Sequence, residues 1–386
     1  MIFYNADLMT MEGSRIHRGW MQVENGKITA LGELATLPAA EEAEEMVDLA
    51  GALVLPGFVD AHSHIGLFED SMGFEGADGN EDTDPLTPQL RAFDAVNPME
   101  RSFAEALAGG ITTVVTGPGS ANPIGGQICA LKTAGRRVDT MALSDSLAVK
   151  FALGENPKMS YNAKSQTPIT RMATASLIRD MLRKAKEYME ALEDAEEDED
   201  CDKPEYDAKC EALLPLLRRE QKAHFHCHRA DDIFTAIRIA REFELDYLLI
   251  HCTEGHLIAE ELAEEKAMVV TGPLFGTRSK PELSGFTPAN PALLSKAGVT
   301  VAICTDHPEV AQQLLPLSAG LAVSEGMDYN KALEAITVVP AQICGLGDRV
   351  GSLAVGKDAD FLVYRCDPLA LGSKPEQVWV DGVRRV

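Results

Sequence analysis

The sequence predicts an α/β fold, a (β/α)₈ TIM barrel with a small β-sandwich built from both chain ends. Three observations predict it. Strand-like apolar runs alternate with helix-like segments in about eight units over roughly 250 residues, the spacing of such a barrel. Both ends instead read as short strands separated by glycine turns, and the closeness of termini in folded chains lets them share one domain. Histidine and aspartate recur at the ends of the predicted barrel strands, where barrel enzymes carry their chemistry. The expected division is residues 1–55 with 347–386 for the β domain and 56–346 for the barrel.

A length of 386 residues suits one large domain plus a smaller one, and a 45% hydrophobic content is ordinary for a globular chain. No apolar run reaches the ~20 residues that cross a bilayer. The start, MIFYNADLMTMEG, lacks the basic region and apolar core of a signal peptide. A net charge of -25 argues against nucleic acid or an anionic membrane as partner, because both select basic patches. The eight cysteines include no CxxC pair and read as reduced thiols of a cytoplasmic protein. Cys227, Cys252 and Cys304 adjoin candidate ligands, but strand alternation turns neighbours to the opposite face, so packing is their expected role.

In chain order, IFYNADLMT and WMQVENGKITALG are strands, the second broken by the hairpin signal Asn25-Gly26. The Ala/Glu-rich patch PAAEEAEEM is the first helix-like stretch. LVLPGFVDAHSHIG, from Leu53 to Gly66, enters the barrel. A loop from Gly66 to Pro98 has the length of a functional lid. MERSFAEALAGG reads as a helix stopped by glycine, and ITTVVTGPG as a buried strand. Short apolar runs lead to MALSDSLAVKFALGENPK, and a helix starts near Thr170. Between Lys184 and Cys210 an acidic run followed by Pro204 reads as a solvated helix end. KAHFHCH, DYLLIHC, AMVVTGP and VTVAICTD are strands with helices between them, and a last helix starts at VAQQLLPLSAG. The segments VGSLAVGKDADFLVYRCDPLA and EQVWVDGVRRV return to glycine-punctuated strands.

His62 and His64 stand two apart on a strand and share a face, so two imidazoles can aim at one point. Two ligands do not make a metal site. His224, His226 and His228 alternate on one face of the fifth barrel strand, His251 ends the next, and Asp306 ends the last. Each alone reads as a satisfied core residue; together they converge where a barrel site forms. Lys150 ends the fourth strand. A desolvated lysine beside a divalent cation can lose its proton and add CO₂, and the carbamate can bridge two metals. Glu155, in the following loop, competes for that place.

VLPGFVDAHSH, the later strand-end histidines, the closing TD and GSLAVGKDADFLVY together resemble the amidohydrolase superfamily over nearly the whole chain, nearest its imidazolonepropionase-related and cyclic-amidase-like branch. The resemblance implies a distorted (β/α)₈ barrel beside a β-sandwich from both termini. It implies that His62 and His64 hold a buried metal, His226 and His251 a more exposed one, and that Asp306 binds metal and shuttles protons. A carboxylated Lys150 would bridge two ions; in single-metal branches that lysine is missing. HFHCHR offers His226 or a neighbour as ligand, and matching HCH to the family's HAH favours His226. Deaminase branches carry an acid two residues later, where this chain has His228.

The expected activity is hydrolysis of a non-peptide C–N bond, a cyclic amide or imidazolone-like compound, in a small-molecule substrate. One or two divalent ions, zinc foremost with Mn, Fe or Co as alternatives, would lower the pKa of water from about 15.7 to about 7. Asp306 would serve as general base and then acid. His228, and less directly His256 and His307, are candidates for holding substrate or orienting ligands. The alternatives are a single-metal deaminase of a ring amine and a barrel that has lost catalysis. A homo-oligomer is expected for an enzyme of this size.

Overall fold

The computed structural model describes residues 1–13, 15–38, 45–198 and 200–386. The helix-like patch expected at 38–46 lies largely outside them. Two eight-stranded sheets organise the described chain.

The first sheet joins the two ends of the chain. Its strands are Ile2–Leu8, Ile16–Glu24, Lys27–Glu33, Met46–Asp48, Leu53–Pro56, Phe361–Tyr364, Gln377–Val380 and Val383–Arg384. Asn25 and Gly26 both take positive φ (50° and 77°), the pattern of the tight turn that matches strand twist. Leu53–Pro56 pairs with Phe361–Tyr364, and this antiparallel ladder ties the termini together. Phe3 packs edge-on against Phe361, with centroids 4.9 Å apart, and Trp379 stacks on Phe361 at 5.4 Å.

Leu53–Pro56 then passes through Gly57 into the first barrel strand, Phe58–Ser63. A Cβ on Gly57 would lie 2.0 Å from Thr112 Oγ1, so only glycine lets the strands approach here. The barrel continues with Ile111–Thr116, Ile124–Lys132, Ala142–Ala152, Lys222–Cys227, Tyr247–His251, Met268–Thr271 and Thr300–Ile303, neighbours in that order. Pairings are parallel except on both sides of Ile124–Lys132, which runs antiparallel to its neighbours. That segment returns by a hairpin and not by a helical crossover, so it departs from eight regular βα units and distorts the barrel.

Val59, Ala61, Val115, Ile128, Ala148, Leu248, Ile250, Val270 and Ala302 form one buried cluster drawn from seven of the eight barrel strands, as a barrel interior requires. The fifth strand contributes His224 and His226 to its interior face. Phe151 and Phe225 pack on the other side with the helices Arg171–Glu197 and Ala230–Glu242. Thr170 caps the long helix, its Oγ1 accepting from Ala173 N at 3.1 Å. The residues after this helix are mostly exposed, as the acidic run predicts. Among the described residues no ladder joins the eighth strand to the first. The seam closes instead through Asp306 N to His62 O at 3.2 Å and His64 N to His307 O at 2.8 Å.

A buried ion cluster fastens the two sheets. Lys132, at the end of the third barrel strand, pairs with Asp358 at 2.8 Å, Asp360 at 3.1 Å and Asp381. Asp358 also meets Lys27, and Arg349 at 2.8 Å. The GKDAD motif therefore seats a barrel cation in the terminal sheet.

Candidate metal centre at the barrel mouth

Asp306 is the point of convergence. Its Oδ1 lies 3.2 Å from His62 Nε2 and 3.4 Å from His64 Nε2. Ligand atoms of His62, His251 and Asp306 lie within 4.8 Å of one another, and so do those of His226, His228 and His251. His251 is common to both groups. It stands 5.2 Å from His62, 4.6 Å from His226 and 4.5 Å from His228 by ring centroids, stacked on the last. Lys150 Nζ is 3.4 Å from His62 Nε2.

Backbone conformation at the strand ends sets these directions. His251, Cys252 and Asp306 have φ of 72°, 43° and 54°, a left-handed region that costs a non-glycine residue about 1–3 kcal/mol and persists where the surroundings enforce it. Two backbone carbonyls then fix the tautomers. A carbonyl can only accept, so His64 Nδ1 donates to Gly117 O at 2.7 Å and His251 Nδ1 to Gly272 O at 2.8 Å. In the neutral form of either ring the lone pair is then on Nε2. His228 Nδ1 is hydrogen-bonded to Thr253 Oγ1 at 2.6 Å.

Burial holds the imidazoles of His62, His226, His228 and His251 below the usual histidine range, that is, neutral. Burial pushes the Asp306 carboxyl up, but His251, His62 and His64 outweigh it and hold it well below the usual carboxylate range. Burial draws the Lys150 ammonium down to about 8. Nε2 of His62 and of His64 thus face one carboxylate oxygen of Asp306 at 3.2 and 3.4 Å. Acceptors at such distances repel unless a proton or cation lies between them, and neutral imidazole with carboxylate is a donor set that suits a divalent ion. These residues fit such an ion.

Beneath the ring of ligands, Asp60 accepts from Thr305 Oγ1 at 2.6 Å and Gln312 Nε2 at 2.7 Å, and its buried carboxyl is pushed up to about 7 by desolvation. Thr305 precedes Asp306, so Asp60 fastens the backbone that presents the acid.

A cavity of about 600 Å³ opens over the site, lined by His64, His226, His228, His251 and Asp306 among others. Of the Gly66–Pro98 loop, Phe68 and Asn80 reach it. The segment from Gly272 to Phe286 supplies more of the wall, including Phe275, Lys280 and Phe286. Sequence reading passed over that segment because it has neither strand nor helix periodicity. It also missed Glu282, buried with Oε1 3.5 Å from His228 Nε2, and Asn156, whose Nδ2 is 3.4 Å from His226 Nε2.

Other candidates are separated from the cavity. Neither ring nitrogen of His224 has a hydrogen-bond partner among the described residues, and the residue does not line the cavity although it shares a face with His226. Glu155 does not line the cavity and accepts from Glu282 N at 3.0 Å. His307 is buried, and neither it nor His256 lines the cavity; the His256 backbone N donates to Asn290 Oδ1. Cys227, Cys252 and Cys304 are buried in apolar clusters, as packing requires.

Residues 53–384 match the amidohydrolase family. The chain belongs to that family. A crystal structure of an amidohydrolase from Thermotoga maritima MSB8 is 43% identical, with a TM-score of 0.94, covering 99% of this chain and 98% of that one. The amidohydrolase tasK of Hapsidospora irregularis is 29% identical over 412 residues, 96% of this chain; this chain spans about two fifths (41%) of that relative. The imidazolonepropionase of Cupriavidus taiwanensis is 26% identical over 384 residues, covering 91% of this chain and 85% of that one. This amidohydrolase is a hydrolase with a histidine-rich candidate metal site. Among its described residues no helix is long and apolar enough to cross a membrane.

Proposed function

We propose that this amidohydrolase cleaves a non-peptide C–N bond in a small cyclic amide or imidazolone-like molecule. The observation that carries the reading is the meeting of His62, His64 and His251, from distant stretches of chain, at the Asp306 carboxylate. Likeness to imidazolonepropionases supports the ring-opening class.

His62, His64, Lys150, His226, His251 and Asp306 would hold one or two divalent ions, with zinc foremost. Such an ion supplies Lewis acidity, bringing the pKa of water toward about 7 and polarising a carbonyl. The remaining chemistry falls to the chain. Asp306, ionised between two imidazoles, accepts a proton from water and delivers it to the departing nitrogen. Gly117 and Gly272 carbonyls keep His64 and His251 facing inward. Lys150 stands beside His62, where a carbamate formed from its amine and CO₂ would take the bridging place. His228, held by Thr253, lies at the cavity wall beside His226 and His251, within reach of both a substrate and an ion there. Eight thiols without a disulfide among the described residues support a cytoplasmic setting.

The test is turnover on a panel of cyclic amides, hydantoins, imidazolones and N-acyl amino acids. His62→Ala and Asp306→Asn are each expected to lower kcat/KM at least about a hundredfold while circular dichroism stays native. Full turnover by either variant overturns these roles, and ammonia release without ring opening overturns the bond assigned.

A further inference from the structure

Glu282 comes from the Gly272–Phe286 segment and is pinned before any ligand arrives. Its Oε2 accepts from Glu155 N at 3.0 Å, and Glu155 Oε2 accepts from Glu282 N at 3.0 Å. This reciprocal clasp leaves Glu282 Oε1 pointing at Nε2 of His228, 3.5 Å away, and of His226, 3.8 Å away. Around a tetrahedral zinc with bonds of about 2.0–2.1 Å, ligand atoms stand roughly 3.4 Å apart. Glu282 Oε1 is within a few tenths of an ångström of that spacing from two imidazoles, which themselves group with His251.

One further contact bears on this oxygen. Lys280 Nζ lies 2.7 Å from Glu282 Oε1 and donates to Asn156 Oδ1 at 3.1 Å. The Lys280 side chain is about a third exposed, so its ammonium has a route to water. An ammonium and a divalent ion repel, so the charge of Lys280 opposes a cation's approach to the same carboxylate.

We propose that Glu282 is a protein ligand of the ion held by His226, His228 and His251, and that Lys280 competes with that ion for the same carboxylate. The inference rests on the metal-dependent reading above. Ion binding draws Lys280 off Glu282 toward solvent. The two residues therefore act on metal affinity in opposite directions, which a simple salt bridge bracing the wall would not do.

Protein stripped with a chelator and titrated with zinc against a chromophoric chelator tests this, read on the zinc equivalent that His228→Ala abolishes. Glu282→Gln keeps the acceptor for Glu155 N, and its metal-free melting temperature is the control for folding. Its zinc affinity is expected to fall about tenfold or more, and Lys280→Met is expected to raise affinity several-fold. Glu282→Gln binding zinc within twofold of wild type, or Lys280→Met binding it more weakly, overturns the proposal. So does the absence of any zinc equivalent sensitive to His228→Ala. Wild-type protein that takes up no zinc sinks the metal-dependent reading as well, whereas zinc lost on His62→Ala but indifferent to Glu282→Gln sinks only the role of Glu282.

Discussion

Thr253 decides where His228 can point. Its hydroxyl sits 2.6 Å from Nδ1, and no other hydrogen-bond partner of that nitrogen competes within the described wall. Thr253→Val keeps the volume and removes the hydroxyl. The expected result is a kcat/KM lowered about tenfold with a melting temperature near that of wild type. Unchanged kinetics would remove His228 from the working site. The histidines and Asp306 were legible because they end periodic strands, and period two forces His62 and His64 onto one face. Period two could not separate His224 from His226, since depth along a strand is invisible to alternation: one is sealed in the interior, the other reaches the cavity. Glu282, Lys280 and Asn156 were illegible for another reason. They sit in irregular segments whose paths are set by tertiary contacts such as the Glu155–Glu282 clasp.

At the scale of elements, the seventh strand stops at a glycine that does two jobs. Gly272 has φ of +142°, and its carbonyl receives His251 Nδ1. A Cβ there would stand 2.2 Å from Cys304 O, on the neighbouring strand that leads to Asp306. Gly272→Ala is expected to cost about 1–3 kcal/mol from the backbone conformation alone. It should also lower hydrolysis, because both His251 and the eighth strand must shift. Calorimetry and turnover on one preparation check this; wild-type values in both would show that the strand end tolerates displacement. Most elements followed from sequence, including the capped helix after Thr170 and the Asn25-Gly26 hairpin. The antiparallel third strand did not, because its apolar pattern is the same whichever way it runs.

For the molecule as a whole, Lys132 joins what we propose as two domains, 1–55 with 347–386 against 56–346. Its neighbours Asp358 and Asp360 are buried. Lys132→Met leaves these carboxylates short of a cation, and a loss of about 3 kcal/mol is expected in denaturant unfolding. The pH response of the cluster has a definite sign. Desolvation raises Asp360 to about 6. The folded state then takes up this proton before the unfolded chain does, so the group adds stability as pH falls from about 6 toward 4. Asp358 is shifted the other way: burial raises it, but Lys132 and Lys27 prevail and lower it. Its contribution is present above the ordinary aspartate range and is lost as pH falls through the lowered value. Asp360→Asn, already neutral, should melt above wild type at pH 7, with the gap closing toward pH 4; a gap independent of pH would contradict this.

The barrel seam has a temporal consequence. His62 and His64 lie near the start of the ring and Asp306 at its close, and backbone bonds from Asp306 to His62 and from His64 to His307 shut the circle. A chain still emerging from the ribosome carries the imidazoles of His62 and His64 long before the Asp306 carboxylate, 242 residues beyond His64, has been made. Fraying of the seam later would carry the acid away from its histidines in the same motion, so loss of chemistry would be the earliest symptom of unfolding.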